Sequence, residues 1–537
     1  MTDKRLLIAN RGEIALRVMR TATELGYTTL AVHGSDDADG LHVLRADQAV
    51  VLPGRGPAAY LDIDAIVAVA REHGAHWVHP GYGFLAEQAD FARAVEAAGM
   101  VFVGPTPAQL ALFGDKLAAR GCAQEHGVPV LEASGEIATA AALEAFRDAA
   151  GGSGVILKAA AGGGGRGMRV LGPEDDAARL LEQAAAEAAA AFGDGRVYAE
   201  RYVANARHVE VQVVGDGRGG VTHLWERDCS VQRRHQKILE IAPAPGLDPA
   251  LRDRLLDAAE SLAAAVAYRG LGTFEFLVDV DHGEFFFIEA NARLQVEHTV
   301  TEAVLGLDLV AIQLAIAGGA SLAECGLETV EAPRGYALQL RINAESMAAD
   351  GSTRAAGGTL GAFEPAAGPG IRVDTAAHTG YRVHPAFDSL LAKLVVASEG
   401  GDFARAVARA RRAAAEFVIT GSATNLPLLR ALLDHPAFLA GQMNTAFVER
   451  HAAALAEAAQ ALAPAAFATV DAAAPSAATV AVPAGATVVA APMRGSVVSV
   501  GVTSGQAVRR GEVVALLEAM KMHHEVVAPV SGTVGEV

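Results

Sequence analysis

Cysteine is scarce in this chain of 537 residues, and the three present, Cys122, Cys229 and Cys325, stand far apart. They make neither a disulfide framework nor a zinc ligand set, which fits a reducing compartment. Positive charge is short as well: 44 Lys and Arg against 62 Asp and Glu leave a net charge of −18. Nucleic-acid-binding domains usually carry a basic stripe, so local basic clusters are read here as anion sites for small substrates. No uncharged apolar run reaches about 18 residues, so no membrane span is expected. Ala-rich helices account for the positive mean hydropathy of +0.26. Leu6-Leu7-Ile8-Ala9 is too short for a signal peptide and is closed by Asn10-Arg11. These absences point to a cytoplasmic protein with no nucleic-acid and no membrane partner, long enough for about three or four domains.

Two familiar phosphate-binding signatures are also missing. The opening segment alternates strand and helix: Leu6-Leu7-Ile8-Ala9, then a helical stretch with Ile14, Val18, Met19 and Ala22 on one face, then Thr28-Thr29-Leu30-Ala31-Val32. That order implies a parallel, Rossmann-like sheet. Its first turn, Asn10-Arg11-Gly12-Glu13, lacks G-x-G-x-x-G, so no dinucleotide site is expected. Further on, Lys158 closes an apolar strand and is followed by Gly162, Gly163, Gly164, Gly165 and Gly167. No Gly-Lys-Ser/Thr follows, so this is not a Walker A loop. Consecutive glycines let backbone N–H groups approach phosphate closely, although a flexible linker reads the same way.

A carboxylate pair emerges from strand register. Thr273 to Val280 and Glu284 to Glu289 are strand-like and joined by Asp281-His282-Gly283. A three-residue hairpin loop ending in Gly pairs 280 with 284, and the same register sets Glu275 opposite Glu289. Like charges facing each other on a sheet are destabilising, so a hard cation such as Mg²⁺ with oxygen ligands is expected there. Two carboxylates on a solvated face are the plain alternative. At period two, Glu289, Asn291, Arg293 and Gln295 share a face. The basic run from Glu226 to Lys237 reads either as a solvated loop or as an anion site.

The C-terminal segment contains a repeat. Ala491-Pro492-Met493-Arg494-Gly495 with its following Val alternation recurs as Ala528-Pro529-Val530-Ser531-Gly532, at a constant offset of 37 residues. Two such halves make a small pseudo-symmetric β-sandwich, with Lys521 where one half passes into the other. The second copy reaches only Val537, so a polypeptide continuing past that residue is expected. Residues 451–488 are Ala- and Pro-rich: a helix-prone start and then a linker of about 35 residues, able to span roughly 100 Å.

Ala519-Met520-Lys521-Met522 resembles the biotin-attachment motif of biotinyl carrier domains. Asn10 to Ala15 and His79 to Leu85 resemble the opening domain of biotin carboxylases, although tight turns at strand ends account for them equally well. The glycine run resembles the flap that covers phosphates in ATP-grasp ligases, and Lys116 matches their other phosphate lysine beside Lys158. In those enzymes the counterparts of Glu275, Glu289 and Asn291 hold two magnesium ions, which Mn²⁺ can replace. The resemblance implies that Glu200, Arg201, Val203, His208 and Leu277 surround adenine and ribose. It further implies that Gln232, His235 and Lys237 reach nucleotide and bicarbonate, that Arg293, Gln295 and Val296 line the bicarbonate pocket, and that Glu297 is the general base. Arg341 matches the residue that stabilises the biotin enolate. Lys237, Arg293, Glu297 and Arg341 are thereby the expected catalytic residues, and Lys521 the biotinylated one.

The expected fold is therefore α/β: a Rossmann-like domain over 1–113, an ATP-grasp α+β domain over 114–330 with a lid at about 130–203, and an α+β domain over 331–450. The linker and an all-β biotinyl/lipoyl-type sandwich over 489–537 follow. The expected activity is carboxylation of tethered biotin by ATP and bicarbonate, as in an acyl-CoA carboxylase. The resemblance implies as partners a carboxyltransferase domain or subunit, a biotin protein ligase and further copies of the chain. Pyruvate and urea carboxylases share this half-reaction. A non-catalytic carrier or scaffold subunit is the reading from a different class, and intact Lys116, Lys158, Glu275, Glu289 and Asn291 count against it.

Overall fold

The computed structural model describes residues 4–150, 154–160, 168–172, 175–348, 351–462, 486–491, 496–519 and 522–535. Gly163, Gly164, Gly165, Gly167 and Lys521 lie outside the described residues, as does 463–485 of the linker.

The N-terminal segment forms the expected parallel sheet, ordered Gln48–Val51, Thr28–His33, Arg5–Ile8, Trp77–His79 and Val101–Phe102. Ile14, Val18, Met19 and Ala22 of the helix Gly12–Glu24 are all buried, in a core shared with Leu309, Val310 and Leu314 from a later part of the chain. A separate four-stranded sheet, ordered Ala133–Glu136, Val197–Arg201, Val155–Ala159 and Arg169–Leu171, has its own small core around Leu143, Leu157, Leu171 and Ala184.

The principal sheet has eight antiparallel strands in the order Glu284–Asn291, Arg269–Asp279, Ala206–Asp216, Val221–Arg233, Gln236–Ala242, Tyr336–Asn343, Leu390–Ser398 and Ile371–Thr375. Its last three strands come from the segment expected to be a separate C-terminal domain, so one hydrogen-bonded surface runs across both segments. The strand Ala206–Asp216 shows how the site is built on it. Val209, Val211 and Val213 point into the core with Phe274 and Phe276, while His208, Glu210 and Gln212 alternate to the other face.

The hairpin that carries Glu275 and Glu289 forms with a different loop from the expected one. Asp279 pairs with Glu284, so the connection is the four residues 280–283, and this register alone would set Ile288 opposite Glu275. A β-bulge between Glu275 and Phe276 on the register takes up Ile288 and brings Glu289 opposite Glu275. The facing pair is as expected, reached by compensating irregularities.

The helix Ala452–Leu462 packs Leu455 into the core that holds Leu429, Leu432 and Phe447. The C-terminal segment forms a three-stranded sheet of Ser496–Val500, Val513–Ala519 and Met522–Val527, plus the pair Ala507–Val508 with Gly532–Thr533. Ala519 is paired with Met522, the strand ends flanking the expected attachment position. Among the described residues no single helix is long and apolar enough to cross a membrane.

Candidate active site

Register places a row of charged residues straight across four strands. Glu289 opposes Glu275, Glu275 opposes Glu210, and Glu210 opposes Arg227. Three adjacent carboxylates would repel strongly, so the cations around them hold the row together. Arg227 is fully buried and donates to Glu210 (2.5 Å), Gln212 (2.9 Å), Thr301 (2.9 Å) and Gln295 (3.1 Å). Lys237 donates to three carboxylates at once: Glu210 (2.5 Å), Glu275 (2.9 Å) and Glu297 (2.7 Å). Burial works against its ammonium, but Glu210, Glu275 and Glu297 outweigh it and hold the lysine well above its ordinary range.

Glu275 is the hub of the row. Lys237, Asn291 Nδ2 (2.8 Å) and Gln295 Nε2 (2.9 Å) all donate to its Oε1, and His208 Nε2 lies 2.7 Å from its Oε2. Burial alone would raise the carboxyl, yet Lys237 and His208 keep it well below the usual carboxylate range. Gln232 in turn contacts His208 Nδ1 at 2.7 Å. Glu289 pairs with Lys116 at 3.0 Å. Lys116 is the first residue of the helix Lys116–Glu125, whose N-cap Asp115 accepts from Leu117 and Ala118 and so fixes where the lysine emerges.

Among the described residues, two sets of side-chain donors converge closely enough for one cation: His208, Glu210 and Glu275, and Glu210, Cys229 and Glu297. Glu289 and Asn291, the other expected ligands, flank Glu275 at the sheet edge. Oxygen donors dominate this collection, which suits a hard divalent cation. A nucleotide would bring further negative charge to cations that are already paired, so added positive charge fits the site.

Glu297 sits at the entrance of the helix His298–Leu305. Lys237 donates to its Oε1 and Arg341 Nη2 to its Oε2 at 2.9 Å. Burial opposes ionisation, but Lys237, Arg341 and Arg227 hold the carboxyl far below the ordinary range. Arg341 also donates through Nε to Glu240, a fully buried carboxylate that accepts from Gln339 Nε2 at 2.9 Å. Arg293 is held by Glu87 (2.9 Å) and donates to Asn291 Oδ1 (2.8 Å).

The basic run is no solvated loop. It is two paired strands joined at Arg234 and His235, whose φ values of 45° and 65° place both in the left-handed region. Such two-residue turns normally use Asn-Gly, and non-glycine residues held there store strain of a kind that clusters at functional sites. The turn brings Gln232 opposite Lys237 and leaves His235 exposed, its pKa lowered chiefly by partial desolvation of the ring.

Lys158 and Glu200 form a buried ion pair within the small four-stranded sheet, with Arg120 3.4 Å from the same carboxylate. Val203 packs with Leu131 and Ala206 against Leu277 and Phe286, and the Arg201 guanidinium lies 5.2 Å from the Phe286 ring centre. This apolar wall suits a flat aromatic base. The structure thus gathers Lys237, Glu275, Glu289, Asn291, Gln295, Glu297 and Arg341 in one centre. Sequence reasoning missed Glu87, Glu210, Arg227 and Glu240. Period-two alternation of His208, Glu210 and Gln212 in a valine strand was a readable signal for Glu210; the others depend on long-range pairing.

Known proteins resemble this chain along most of its length. Residues 2–110 match the biotin carboxylase N-terminal domain, 115–325 the ATP-binding domain of the carbamoyl-phosphate synthase L chain, 339–450 the biotin carboxylase C-terminal domain, and 479–537 the domain of biotin-requiring enzymes. Pyruvate carboxylase of Aspergillus niger is 45% identical over 456 residues, covering 84% of this chain and 38% of that protein. The chain therefore spans well under half the length of the curated relatives it matches. The biotin carboxylase domain dimer of Hydrogenobacter thermophilus 2-oxoglutarate carboxylase, solved with MgADP, ADP and bicarbonate, superposes with a TM-score of 0.79 at 39% identity, covering 84% of this chain and 98% of that one. A single-chain, multi-domain long-chain acyl-CoA carboxylase matches at TM-score 0.74 and 42% identity over 100% of this chain and 50% of that one. With these matches running in order along carboxylase domains and carrier alike, the chain belongs to the biotin carboxylase family of ATP-grasp ligases.

Proposed function

We propose that the chain catalyses ATP- and bicarbonate-dependent carboxylation of biotin attached to Lys521, the first half-reaction of an acyl-CoA carboxylase. The observation that carries this is the convergence of Lys237 and Arg341 on Glu297 beside the Glu275 hub. A general base must lie within hydrogen-bond reach of its proton and be ionised. Lys237 and Arg341 keep Glu297 ionised, and transfer of either cation to the entering bicarbonate frees the carboxylate to take the proton. Arg293, Gln295 and Val296 frame the bicarbonate pocket. Lys116 and Lys158 serve the phosphates, with Gly163, Gly164, Gly165 and Gly167 as the covering flap. Gln232, His235, Glu200, Arg201, Val203, His208 and Leu277 surround the nucleoside. Glu275, Glu289 and Asn291 would hold two Mg²⁺, or Mn²⁺, which neutralise charge on the transferring phosphoryl group.

Arg341 carries the biotin step. Its guanidinium is anchored by Glu240, so it keeps one fixed partner when Glu297 changes protonation state. We assign the acceptor to acyl-CoA because the acyl-CoA carboxylase structure matches the whole chain, carrier included, whereas the pyruvate carboxylase match covers 84% of it. Pyruvate is the second acceptor reading, favoured by those same curated relatives. The proposed setting is cytoplasmic and homo-oligomeric, with a carboxyltransferase and a biotin protein ligase as partners. The test is bicarbonate-dependent ATP cleavage and transfer of labelled bicarbonate to free biotin. Absence of both, with Mg²⁺ present, rejects the reading in favour of a carrier or scaffold subunit.

A further inference from the structure

Lys393 lies in the middle of the strand Leu390–Ser398 and is wholly shielded from solvent, with 0% exposure. Its cross-strand neighbours are Arg341 on one side and Asp374 on the other. Lysine is almost never fully buried unless paired, and removing an ammonium from water is costly. Glu13 Oε2 at 3.1 Å and Asp374 Oδ2 at 3.9 Å supply the countercharge. Countercharge alone does not account for its direction. The ammonium donates at 3.2 Å to the backbone carbonyl of Val296, the residue just before Glu297.

Three parts of the chain meet at this one group. Lys393 stands on the C-terminal end of the long sheet, Glu13 on the first helix, and Val296 in the short irregular segment between the strand ending at Asn291 and the helix beginning at His298. That irregular segment presents both Gln295 and Glu297, so its placement sets the distance from Glu297 to Lys237 and Arg341. On the opposite side, Glu13 Oε1 accepts from the Tyr82 hydroxyl, and burial is the main influence raising the Glu13 carboxyl, with Lys393 opposing it. The ammonium therefore ties the turn bearing Tyr82 and the segment bearing Glu297 to the same strand as the neighbour of Arg341.

We infer that Lys393 is a positioning residue, pinning the Val296 carbonyl so that Glu297 and Gln295 hold bicarbonate at the right distance from Arg341. This rests on the biotin carboxylase reading above. It acts through the backbone and touches no substrate.

The test is steady-state ATP cleavage by the full chain, varying bicarbonate and ATP separately. Lys393→Met keeps the apolar stem and removes the ammonium. The expected result is a KM for bicarbonate raised about tenfold or more, because small displacements of positioned groups are costly, with the KM for ATP unchanged. A lysine that only stabilised the fold would lower the amount of active enzyme and move neither KM. An unchanged bicarbonate KM, or equal shifts for both substrates, overturns the inference. Should Lys393→Met not fold, Glu13→Gln, which removes the nearest countercharge and lets the ammonium swing off the carbonyl, is read for the same split. An unchanged bicarbonate KM there overturns it equally. Wild-type chain that cleaves no ATP in response to bicarbonate overturns the underlying reading as well, whereas active wild type with an unshifted variant overturns the positioning role alone.

Discussion

Lys116 and Glu289 meet at 3.0 Å, so the carboxylate at the sheet edge is already half of an ion pair. Burial opposes the Lys116 ammonium, but Glu289, then Glu200 and Glu275, raise it above its ordinary value. A cation entering beside Glu289 displaces Lys116 and frees it for phosphate. Glu289→Gln is expected to reduce bicarbonate-dependent ATP cleavage by at least about 100-fold, the scale of losing a preorganised charge. It also leaves the partly buried Lys116 ammonium without its ion-pair partner, so the metal-free melting temperature falls, where relief of the Glu275–Glu289 repulsion alone would raise it. Turnover near the wild-type level at saturating Mg²⁺ rejects the metal assignment.

Replacing Glu297 by Gln removes the proposed base while keeping its shape. The expected loss in kcat is roughly 100- to 10,000-fold, the usual weight of general base catalysis, with little change in the KM for ATP. Its carboxyl lies far below the ordinary range, so its folded pKa is lower than the unfolded value of about 4.3. The stability it contributes is present above that value and is lost only as pH falls through the depressed folded pKa. No acid limb from Glu297 should therefore appear in a pH–rate profile near neutrality. A limb that vanishes in Glu297→Gln contradicts this.

Glu240 behaves in the opposite sense. Burial pushes its carboxyl up to about 7 against the pull of Arg341. With a folded pKa above the unfolded one, its contribution to stability is full below about pH 4.3 and is lost as pH rises through about 7. Glu240→Gln imitates the protonated form. Melting curves between about pH 5 and pH 8 should therefore fall less steeply for the variant than for wild type. Parallel curves would remove Glu240 as a titrating group.

Arg201→Ala tests the apolar wall. Losing the guanidinium beside Phe286 should raise the KM for ATP by about tenfold while leaving kcat nearly unchanged, the signature of lost uniform binding. A fall in kcat at constant KM would place Arg201 elsewhere in the mechanism.

Lys521→Arg separates carrier from catalyst. The variant should accept no carboxyl group on the tethered carrier yet still carboxylate free biotin, because every group proposed to touch substrate precedes residue 345 and the positioning Lys393 also lies before the carrier. Labelled bicarbonate followed in both assays decides it. Loss of free-biotin activity would mean that the carrier segment helps to build the site.

Local pattern revealed more of this molecule than long-range pattern. The helix face Ile14, Val18, Met19 and Ala22 follows from spacing alone, and the Glu275–Glu289 pair from a hairpin whose strands are sequence neighbours. The loop was misjudged by one residue because a bulge leaves no compositional trace, and Ile288 looks like any strand residue. Lys237 could be suspected, but its three carboxylates come from positions 210, 275 and 297, which meet only through sheet order. Glu240 and Arg341 lie about a hundred residues apart and meet because the strand Gln236–Ala242 pairs with Tyr336–Asn343, a partnership that propensity does not encode.

That same partnership limits how the chain can be recombined. A cut near residue 330 looks natural in the sequence, but it would leave Gln236–Ala242 with an open edge and strip Glu240 of Arg341 and Gln339. Exchange of the C-terminal segment between relatives would have to reproduce an entire interior strand seam and its buried charges, not merely a complementary surface. The inheritable and engineerable unit is therefore the stretch from the first strand to the end of the helix Ala452–Leu462. Swapping of parts between such enzymes is expected to succeed in the Ala- and Pro-rich sequence that follows and to fail within.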